Sequence, residues 1–422
     1  MAQYHRGMGQ LNTNVLAFRD ALEVVLREAG SAGVPSPESV ALLEARSRVL
    51  AEEVAADRDQ PPFDRSTRDG FALRAEEFSA GPKLQIAGQI RAGQVWTGGE
   101  LGAGSAVEIM TGAPVPPGAD AVAMIEHVEV AGDTVSAGAG RTLAAGENVV
   151  PRGSEARAGQ PVLRAGTVIG AAEIAIAAAC GRAELAVYRR PKVAIVATGD
   201  ELVELAESPR AHQIRNSNSY ALAAMVEAAG GRAERLAIAR DTREDVRERI
   251  AQGRAAELLL LSGGVSAGKY DLVEEVLAEL GAEFLFTGVK MQPGKPVVYG
   301  RVPKGSESAQ GWTYFFGLPG NPVSTQVTFH CFVEQMLRAM CGAGVGGPPF
   351  VQATLEEDVR GKGGLTRLLP ARLTHDVEQP QVRLVGWQGS GDLAANARAN
   401  CYAVLADGRD LRAGDVISVL LR

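Results

Sequence analysis

The sequence predicts a multidomain protein in which a doubly wound α/β domain is joined to β-rich domains. Three observations support this fold class. Apolar strand patterns alternate with helical patterns from Arg190 onward, which is typical of a parallel sheet covered by helices. Short apolar stretches separated by Gly and Pro fill Lys83 to Gly146 and return from Phe350 to Arg422, as in small β domains. The length of 422 residues is enough for roughly three domains.

Composition excludes several functional classes. The formal net charge is −7 and no basic block occurs, so a nucleic-acid partner is not expected. No apolar run reaches the length of a membrane span and no signal peptide precedes the first helical pattern, so no membrane partner is expected either. The four cysteines never form C-x-x-C, and the five histidines show no metal spacing. We therefore expect reduced thiols, no structural zinc and a cytoplasmic location.

The N-terminal part predicts a small helical linking domain that is discontinuous in sequence, residues 14–55 and 160–189. Its helical patterns run from Val15 to Ala29, from Pro37 to Ala55 and from Ala171 to Ala179. The segment between its two parts, residues 56–159, is then an inserted β-rich domain. Its predicted strands are Leu84–Ile90, Ala106–Met110, Ala121–Ile125 and Thr134–Ala137.

Two loops of the inserted domain contain candidate site residues. The loop from Gln60 to Ala72 places Asp69 between two aromatic anchors, Phe63 and Phe71. The Gly- and Pro-rich turn from Met110 to Asp120 holds the hydroxyl of Thr111 in a rigid setting. Taken alone, each segment is explained at least as well as an ordinary solvated loop or turn.

The α/β domain is predicted over residues 190–342 and a C-terminal β domain over residues 343–422. Strand and helix patterns alternate along the first of these. In chain order, the predicted elements are a strand at Lys192–Ala197, a helix at Asn216–Ala229, a strand at Arg235–Ala239, a helix at Thr242–Gln252 capped by Thr242, a buried strand at Leu258–Leu261, a helix from Leu272 to Leu280 and a strand at Glu283–Val289.

A glycine-rich loop, Ser262 to Gly268, joins the buried strand to the following helix. Such a loop directs backbone N–H groups and a helix N-terminus at one place, which favours an anion. Gly263 to Lys269 fits the phosphate-binding pattern G-x-x-x-x-G-K, but Tyr270 stands where Ser or Thr would hold magnesium. A nucleoside triphosphatase is therefore less favoured than another kind of anion site, and an ordinary strand-to-helix turn remains open.

Three carboxylates, Glu201, Asp241 and Asp271, each follow a predicted strand end. The carboxyl ends of parallel strands meet at one edge of a sheet, so these groups would repel one another there. A divalent cation bound among them would remove that repulsion. Each carboxylate alone is better explained as a helix cap, but their shared edge favours a cation site.

Three further turns present groups suited to an anion. The turn from Met291 to Pro296 fixes Lys295 between a glycine and a proline as a point charge. The segment from Phe315 to Ser324 is a strand end, a stiff turn and a helix start whose exposed N–H groups would form a second anion cradle. In the C-terminal domain, the turn from Gly389 to Leu393 offers Ser390 to a phosphate, or is simply a turn.

Taken together, these motifs resemble one family. TGDEL at Thr198–Leu202, SGGVSAGKYD at Ser262–Asp271, PGKP at Pro293–Pro296 and GLPGNPVS at Gly317–Ser324 are similar to the molybdopterin-binding domain. The stretches PPFDRSTRDGFA and MTGAPVPPGADAV and the turn at Arg152–Glu155 extend the match upstream. In this order, over nearly the whole chain, they resemble the molybdopterin molybdenumtransferases of the MoeA type, which also occur in gephyrin and in a plant homologue.

The resemblance implies a function and an assembly. A member of this family takes adenylylated molybdopterin and molybdate as substrates, inserts the metal and releases AMP with the help of a divalent cation such as Mg²⁺. It is a homodimer whose active cleft lies between the α/β domain of one subunit and the β-rich and C-terminal domains of the other. A molybdopterin adenylyltransferase is implied as the upstream partner. Two alternatives stay open: the chain is itself a molybdopterin adenylyltransferase, or it is a non-catalytic molybdopterin-binding carrier or scaffold.

The resemblance also implies the site residues. Asp69 would reach the site from the partner subunit. The implied catalytic residues are Asp69, Glu201, Asp241, Asp271 and Lys295, and the implied metal ligands among them are Glu201, Asp241 and Asp271. The implied cofactor-binding residues are Thr111, Thr198, Gly199, Ser262, Gly263, Gly264, Ser266, Gly268, Pro293, Gly294, Pro319, Gly320, Asn321, Ser324 and Ser390.

Several positions depart from the pattern of that family. Gln292 stands where many relatives carry Lys, and Glu155 stands where Asp is usual. Leu365 occupies a place where arginine is common, and Arg367 lies two positions later. Arg68 occupies a place that is commonly Met. These changes concern the contacts to molybdate and leave room for another metal oxyanion, such as tungstate.

Overall fold

The structure is a computed structural model that describes residues 14–264, 272–304, 311–374, 379–406 and 408–422. The chain forms two compact units. The larger unit contains the residues up to Ser39, Ser47–Ala51 and Ala186–Arg422, and the smaller unit contains Val40–Arg46 and Glu52–Leu185. Among the described residues, no helix is both long enough and apolar enough to cross a membrane.

A six-stranded mixed sheet forms the centre of the larger unit. Its first four strands are parallel, and its last two are antiparallel to their neighbours. The strand order is Arg232–Arg235, Lys192–Ala197, Leu258–Ser262, Trp312–Leu318, Val298–Pro303 and Glu283–Phe286. The predicted doubly wound α/β arrangement is confirmed for the parallel part, and an antiparallel pair extends it at one edge.

The strand Leu258–Ser262 lies in the interior of this sheet and is buried on both faces. Leu258 and Leu260 belong to one hydrophobic cluster, and Leu259 and Leu261 belong to another. Successive side chains of a strand point to opposite faces, so an unbroken leucine run is what a doubly covered strand requires. The covering helices are Ser217–Ala228, Arg243–Gly253, Leu272–Glu279 and the helical run Pro322–Thr328, Phe329–Val333 and Glu334–Met340, whose middle part is a π-helix.

The predicted strand Arg235–Ala239 was wrong in its position. The ladder lies earlier, at Arg232–Arg235, and Ala239 forms only an isolated bridge with Thr198. The apolar residues Leu236 and Ala239 instead pack into the hydrophobic cluster that contains Leu259 and Leu261. Hydrophobic pattern located the buried residues here, but it did not locate the backbone pairing.

The predicted helix Pro37–Ala55 was also wrong. The chain forms a strand at Pro37–Ala41, a 3₁₀ turn at Leu42–Ala45 and a short strand at Val54–Ala55. Ser47 has a φ of 61°, which no right-handed helix can contain. The strand Pro37–Ala41 pairs with Glu184–Tyr188, a partner about 140 residues away that local pattern cannot reveal. The neighbouring predicted helix Val15–Ala29 is confirmed from Phe18 onward and ends at Ser31, whereas Val15–Leu16 is a short strand.

The C-terminal part of the larger unit is a small β-barrel. The strand Thr366–Leu373 pairs with both Gln381–Leu384 and Cys401–Leu405, which closes the sheet. The remaining strands are Phe350–Leu355, Val416–Leu421 and Met291–Gln292, the last of which comes from the α/β segment and joins in parallel. A short helix, Leu393–Arg398, completes this part. Short paired strands elsewhere in the larger unit are Val15–Leu16 with Gly288–Val289 and Leu202–Val203 with Ile214–Arg215.

The smaller unit is β-rich, as predicted. Its main sheet has the order Ala121–Met124, Gly70–Leu73, Ser105–Ile109, Leu84–Ile90, Thr134–Ala137 and Val128–Ala131. Apolar clusters cover both faces of this sheet. Short ladders join Arg65–Ser66 to Val149–Val150 and Val54–Ala55 to Pro161–Leu163. Its helices are Ala75–Ala80, the predicted Ala171–Ala179 and a 3₁₀ turn at Ile125–His127.

Candidate functional site

Three loops at the carboxyl edge of the parallel sheet are tied together by their backbones. The N–H of Thr198 donates to the carbonyl of Ser262 at 2.9 Å, and the N–H of Gly263 donates to the carbonyl of Leu318 at 3.2 Å. The N–H of Gly199 donates to the carbonyl of Ala239 at 3.1 Å. Ligands of open α/β sheets bind at this edge. The structure therefore brings Thr198, Gly199, Ser262, Gly263 and Gly264 together where a ligand is expected.

Two glycines are required by the geometry of this edge. Gly263 has a φ of 89°, and a Cβ there would lie 2.6 Å from the carbonyl oxygen of Thr198. Gly264 has a φ of 65°, and its Cβ would lie 2.7 Å from the hydroxyl of Thr198. Any side chain at either position would collide with the neighbouring loop. The predicted residues Ser266, Gly268 and Asp271 lie in segment 265–271, outside the described residues.

The hydroxyl of Thr198 is a buried polar group with an unmet hydrogen bond. Thr198 is 3% exposed, and its Oγ1 has no hydrogen-bond partner among the described residues. Leaving a buried hydroxyl unsatisfied costs about 1–3 kcal/mol. A ligand that hydrogen-bonds to this hydroxyl would supply the missing partner.

Asn218 is a site residue that the sequence analysis did not single out. Its side-chain amide donates to the hydroxyl of Ser262 at 3.0 Å and to the carbonyl of Gly320 at 2.8 Å. It therefore fixes the glycine-rich loop to the Pro319–Gly320 turn. The polar run Asn216 to Ser219 was the available signal, but Asn216 accounts for part of it by capping the helix Ser217–Ala228.

Two aspartates at this edge hold each other through their backbones. The N–H of Asp200 donates to the carboxylate of Asp241, and the N–H of Asp241 donates to the carboxylate of Asp200, both at 3.3 Å. Arg240 supports the pair because its guanidinium donates to the carbonyl of Leu202 at 3.3 Å. Asp200 was missed in the sequence analysis, although it stands next to Glu201 in the TGDEL stretch.

The third predicted carboxylate on described residues, Glu201, lies folded over the same loop. A Cβ on Gly199 would lie 2.4 Å from Oε2 of Glu201. Asp200, Glu201 and Asp241 are all exposed, so the edge is open to solvent. Within the described ranges, no group of three or more His, Cys, Asp and Glu side chains could hold a metal ion. Because Asp271 is not among those residues, the predicted set Glu201, Asp241 and Asp271 stays a prediction.

Lys295 stands at the tip of a rigid turn. Gly294 has a φ of 110°, and a Cβ there would lie 2.6 Å from Cγ2 of Thr328. The N–H of Val297 donates to the carbonyl of Gly294 at 3.1 Å, and the N–H of Val289 donates to the carbonyl of Lys295 at 2.9 Å. The side chain of Lys295 is exposed and forms no ion pair with another described residue. Its backbone is thus fixed while its ammonium group is free to meet an anion.

Two unmet polar groups lie near Lys295, one on the strand Met291–Gln292 that precedes it and one on the neighbouring strand Thr366–Leu373. Gln292 is in register with Arg367 on the neighbouring parallel strand. The amide oxygen of Gln292 and the Nε of Arg367 are both buried without a hydrogen-bond partner in the described part of the chain. Burial lowers the pKa of the Arg367 guanidinium, and its Nη1 donates to the carbonyl of Arg360 at 3.0 Å.

At the start of the helix Pro322–Thr328, fewer backbone N–H donors are available to an anion than the sequence suggested. The N–H of Val323 donates to the carbonyl of Ser390 at 3.0 Å, so the Ser390 turn occupies one of the donors expected to face an anion. Ser324 is 3% exposed. The carboxylate of Asp392 caps the next helix through the N–H of Ala395 and also accepts from Gln388, which lowers the pKa of Asp392. The structure brings Asn321, Ser324 and Ser390 into one neighbourhood.

In the smaller unit, Asp69 and Thr111 meet. The carboxylate of Asp69 accepts a hydrogen bond from the N–H of Thr111 at 2.6 Å and another from its hydroxyl at 2.8 Å. These two donors lower the pKa of Asp69. Both residues are exposed. An ionised, oriented and accessible carboxylate is what a ligand-contacting role requires.

Comparison with known families covers most of the chain. Residues 16–181 match the MoeA N-terminal region (domain I and II), and residues 194–339 match a probable molybdopterin binding domain. Residues 352–421 match the MoeA C-terminal region (domain IV). The three matches follow one another in the order in which the motifs occur.

Individual relatives extend over the full length. A molybdopterin molybdenumtransferase of Staphylococcus aureus (strain COL) is 32% identical over 97% of this chain and 96% of its own length. One of Staphylococcus epidermidis (strain ATCC 12228) is 32% identical over 91% of this chain and 90% of its own length. A molybdopterin biosynthesis moeA protein from Pyrococcus horikoshii OT3 aligns with a TM-score of 0.77 at 28% identity, covering 97% of this chain and all of the other.

Proposed function

This chain belongs to the MoeA family of molybdopterin molybdenumtransferases, and from that premise we propose that it inserts molybdate into adenylylated molybdopterin and releases AMP. The reaction is a step of molybdenum cofactor biosynthesis. We propose that it takes place in the cytoplasm, on a homodimer that receives its substrate from a molybdopterin adenylyltransferase. We also propose the division into four domains, 14–55 with 160–189, 56–159, 190–342 and 343–422.

The observation that carries the proposal is the tied edge of the parallel sheet. Loops after three strands are held together by backbone hydrogen bonds, and two glycines there leave room for nothing larger than a hydrogen. Such an edge brings backbone donors close to a ligand without side chains in between. An adenylylated pterin has a pyrophosphate linkage, which is the kind of group that such donors bind.

The site must also supply positive charge. Molybdate and adenylylated molybdopterin are both anions, so bringing them together costs Coulomb energy unless positive groups neutralise it. The whole protein has a formal charge of −7 and gives no general attraction. Local cations must therefore do this, and Lys295 on its rigid turn is the first of them.

Arg367 is the second local cation that we assign to the site. Its Nε and the amide oxygen of Gln292 are both buried without partners among the described residues, and the two residues are in register on neighbouring strands. Rotation of the Gln292 amide by a half-turn presents an N–H group in place of the oxygen. Two donors and one positive charge would then be available to a metal oxyanion. On this reading, Arg367 supplies the charge that a lysine at position 292 would otherwise provide.

The carboxylates of the edge suit Mg²⁺. Magnesium prefers oxygen ligands and is commonly held by one or two carboxylates together with substrate phosphates and water. Asp241 and Glu201 offer such oxygens on the two loops joined by the hydrogen bond between Gly199 and Ala239, and we propose that Asp271 completes the set. A bound Mg²⁺ would neutralise charge on the phosphoanhydride of the substrate. The pair of Asp200 and Asp241 keeps both carboxylates oriented through their mutual hydrogen bonds.

The remaining roles follow from position. We propose that the backbone of Gly263 and Gly264 and the hydroxyls of Thr198 and Ser262 contact the pterin phosphate. Asn218 acts as a positioning residue because it holds Ser262 and Gly320 at fixed distance. Asp69, oriented by Thr111, would complete the site of the partner subunit.

The test is an assay of AMP release from adenylylated molybdopterin, with and without molybdate and Mg²⁺. Molybdate-stimulated release that needs Mg²⁺ supports the proposal. Consumption of ATP with free molybdopterin would instead identify an adenylyltransferase. Tight pterin binding without turnover, unchanged by Asp241→Asn, would identify a carrier and contradict the proposal.

A further inference from the structure

A cavity of about 390 Å³ lies between the helix Phe18–Ser31 and the outer face of the C-terminal barrel. None of the residues assigned to the molybdenum-inserting site lines it. The described residues that do so are Phe18, Arg19, Leu22, Phe350, Gln352, Thr366, Val404, Ala406, Arg409, Leu411, Val416, Ile417 and Ser418. The volume falls within the range of about 300–1,000 Å³ that is common for small-molecule pockets.

The floor of this cavity is apolar because the core of the larger unit ends there. Phe18 and Leu420 belong to that core. Val416 lies on the same face of its strand as Leu420, four residues earlier, but it is 61% exposed. Phe350 on the paired strand is 38% exposed. Val416 and Phe350 therefore add exposed apolar side chains to the lining of the cavity.

The charged residues among the described lining of the cavity are all positive. Arg19 and Arg409 line it, both are exposed, and neither forms an ion pair with another described residue. No Asp or Glu is among its described lining residues. Arg19 also stands in the first turn of its helix, where the helix dipole disfavours a cation, so helix stability does not explain its presence.

A polar pair completes the lining. The side-chain amide of Gln352 donates to the hydroxyl of Ser418 at 3.1 Å, and these two residues are opposite each other on paired strands. The amide and hydroxyl can accept further hydrogen bonds from, or donate them to, a ligand. The cavity therefore combines an apolar floor, two positive groups and a small polar patch.

We propose that this cavity binds a small organic anion with an apolar body, of the size and chemistry of a medium-chain carboxylate. The apolar floor would cover the body, and the two arginines would hold the carboxylate. Charge complementarity selects an anion over a neutral or cationic molecule of the same shape. The inference concerns a second site and does not depend on the molybdenum chemistry.

Titration calorimetry of the full chain with decanoate tests the proposal. We expect saturable binding of one decanoate per chain and no comparable binding of decyltrimethylammonium, which has the same tail and the opposite charge. Arg19→Gln and Arg409→Gln should each weaken decanoate binding by about tenfold, the loss of one charge-assisted contact. Arg27→Gln is the matched control, because Arg27 lies on the same helix, pairs with Glu28 at 3.6 Å and does not line the cavity.

A variant at Val416 distinguishes a ligand-binding site from a surface that binds a second copy of the chain. Val416→Asp places a negative charge at an exposed position, so it should fold and should weaken decanoate binding by repulsion. Molybdate-stimulated AMP release should be unchanged in Arg19→Gln, Arg409→Gln and Val416→Asp. The proposal is overturned if the wild-type chain shows no saturable decanoate binding. It is also overturned if the cationic analogue binds equally well, or if both arginine variants bind decanoate normally. A change from dimer to monomer in Val416→Asp with intact decanoate binding would make a second copy of the chain the occupant, and would also overturn it.

Discussion

The carboxylate of Asp69 receives two hydrogen bonds from one residue, the N–H and the hydroxyl of Thr111. Donors that bind the charged form lower the pKa of a carboxyl group, so Asp69 is ionised well below neutral pH. Because its pKa is lowered in the folded state, its contribution to stability is present above the unfolded pKa. That contribution is lost as the pH falls below the ordinary value of 3.8.

The variant Thr111→Val tests the orientation of Asp69. Valine keeps the backbone donor and removes the hydroxyl, so one of the two hydrogen bonds is lost. We expect the pKa of Asp69 to rise toward 3.8 and the acid limb of stability to move to higher pH. The measurement is an NMR titration of the Asp69 carboxyl carbon.

Thr67→Val is the control for that titration. The hydroxyl of Thr67 donates to the carbonyl of Asn148 at 3.1 Å and has no hydrogen bond to Asp69. It should leave the Asp69 titration unchanged. An equal shift in both variants, or none in Thr111→Val, would mean that the hydroxyl of Thr111 does not set the charge of Asp69.

The pairing of Gln292 with Arg367 leads to a charge-relocation test. If Arg367 holds the metal oxyanion, Arg367→Gln should raise the KM for molybdate by about tenfold or more with a smaller effect on kcat, because a ground-state contact is lost. The double variant Gln292→Lys with Arg367→Gln moves the charge to the adjacent strand, and it should recover most of the affinity. Steady-state AMP release at varied molybdate measures both.

Arg372→Gln is a suitable control for this test, since Arg372 lies on the same strand and its register partner is Arg383 rather than Gln292. It should leave the KM for molybdate unchanged. If Arg367→Gln lowers only stability, or if added lysine at position 292 fails to restore the KM, Arg367 is a structural residue of the barrel rather than a ligand of the oxyanion.

At the scale of elements, the glycine-rich loop depends on positions that accept no side chain. Gly263→Ala would force a φ of 89° on a non-glycine residue and would place Cβ 2.6 Å from the Thr198 carbonyl. We expect a loss of about 1–3 kcal/mol in the free energy of unfolding, the usual cost of such strain, and a large loss of AMP release. Urea unfolding and the assay of AMP release measure the two effects.

Gly30→Ala gives the contrasting case. Gly30 lies in the helix Phe18–Ser31, and a Cβ there would lie 3.6 Å from Cγ2 of Val345, an ordinary contact. Alanine favours a helix over glycine by about 1 kcal/mol, so this variant should be neutral or more stable, with normal activity. Tolerance of Gly263→Ala would mean that the loop does not approach Thr198 in the working enzyme.

Elements with local signals could be predicted from the sequence. The leucine run of Leu258–Ser262, the cap of Thr242 and the apolar helix Ala171–Ala179 each follow from a few neighbouring residues, and the structure confirms them. Pro37–Ala41 could not be predicted in this way, because its strand pairing is with a segment about 140 residues away. The spacing of apolar residues in this segment fits a helix equally well, but pairing with the distant strand determined its structure.

The site was predictable where a motif requires a particular backbone. Gly263 and Gly264 have positive φ and close approaches, so the glycine-rich stretch pointed to them directly. Asn218 and Asp200 were missed because an amide in the first turn of a helix and a carboxylate after a strand are both common, and the role of each depends on which loop it contacts. The pairing of Gln292 with Arg367 likewise depends on register between strands about 75 residues apart, which composition does not encode.

At the scale of the whole molecule, the proposed catalytic residues belong to two compact units. Asp69 and Thr111 are in the smaller unit, and Asp241 and Lys295 are in the larger one. Each group is organised by its own contacts, which the structure shows separately. A homodimer in which one subunit supplies Asp69 and the other supplies the edge of the sheet would unite them without any further catalytic residue.

This sharing can be tested with mixed dimers. Asp69→Ala and Asp241→Ala chains should each be nearly inactive alone, since removal of one charged partner in an active site commonly costs about a hundredfold or more in rate. If the chains are mixed in equal amounts and allowed to exchange, half of the dimers are heterodimers. Each heterodimer has one site with both changes and one intact site, so activity should return to about a quarter of the wild-type value.

The control mixes two variants of the larger unit, Asp241→Ala and Lys295→Ala. Both residues would contribute to the same subunit's half of the site, so every site in that heterodimer carries a change and activity should stay low. Recovery in this control would show that the assay reports exchange artefacts rather than shared sites. Absence of recovery with Asp69→Ala and Asp241→Ala, when sedimentation confirms that heterodimers form, would place Asp69 in the same subunit as the sheet edge. The dimer would then have a role other than completing the active site.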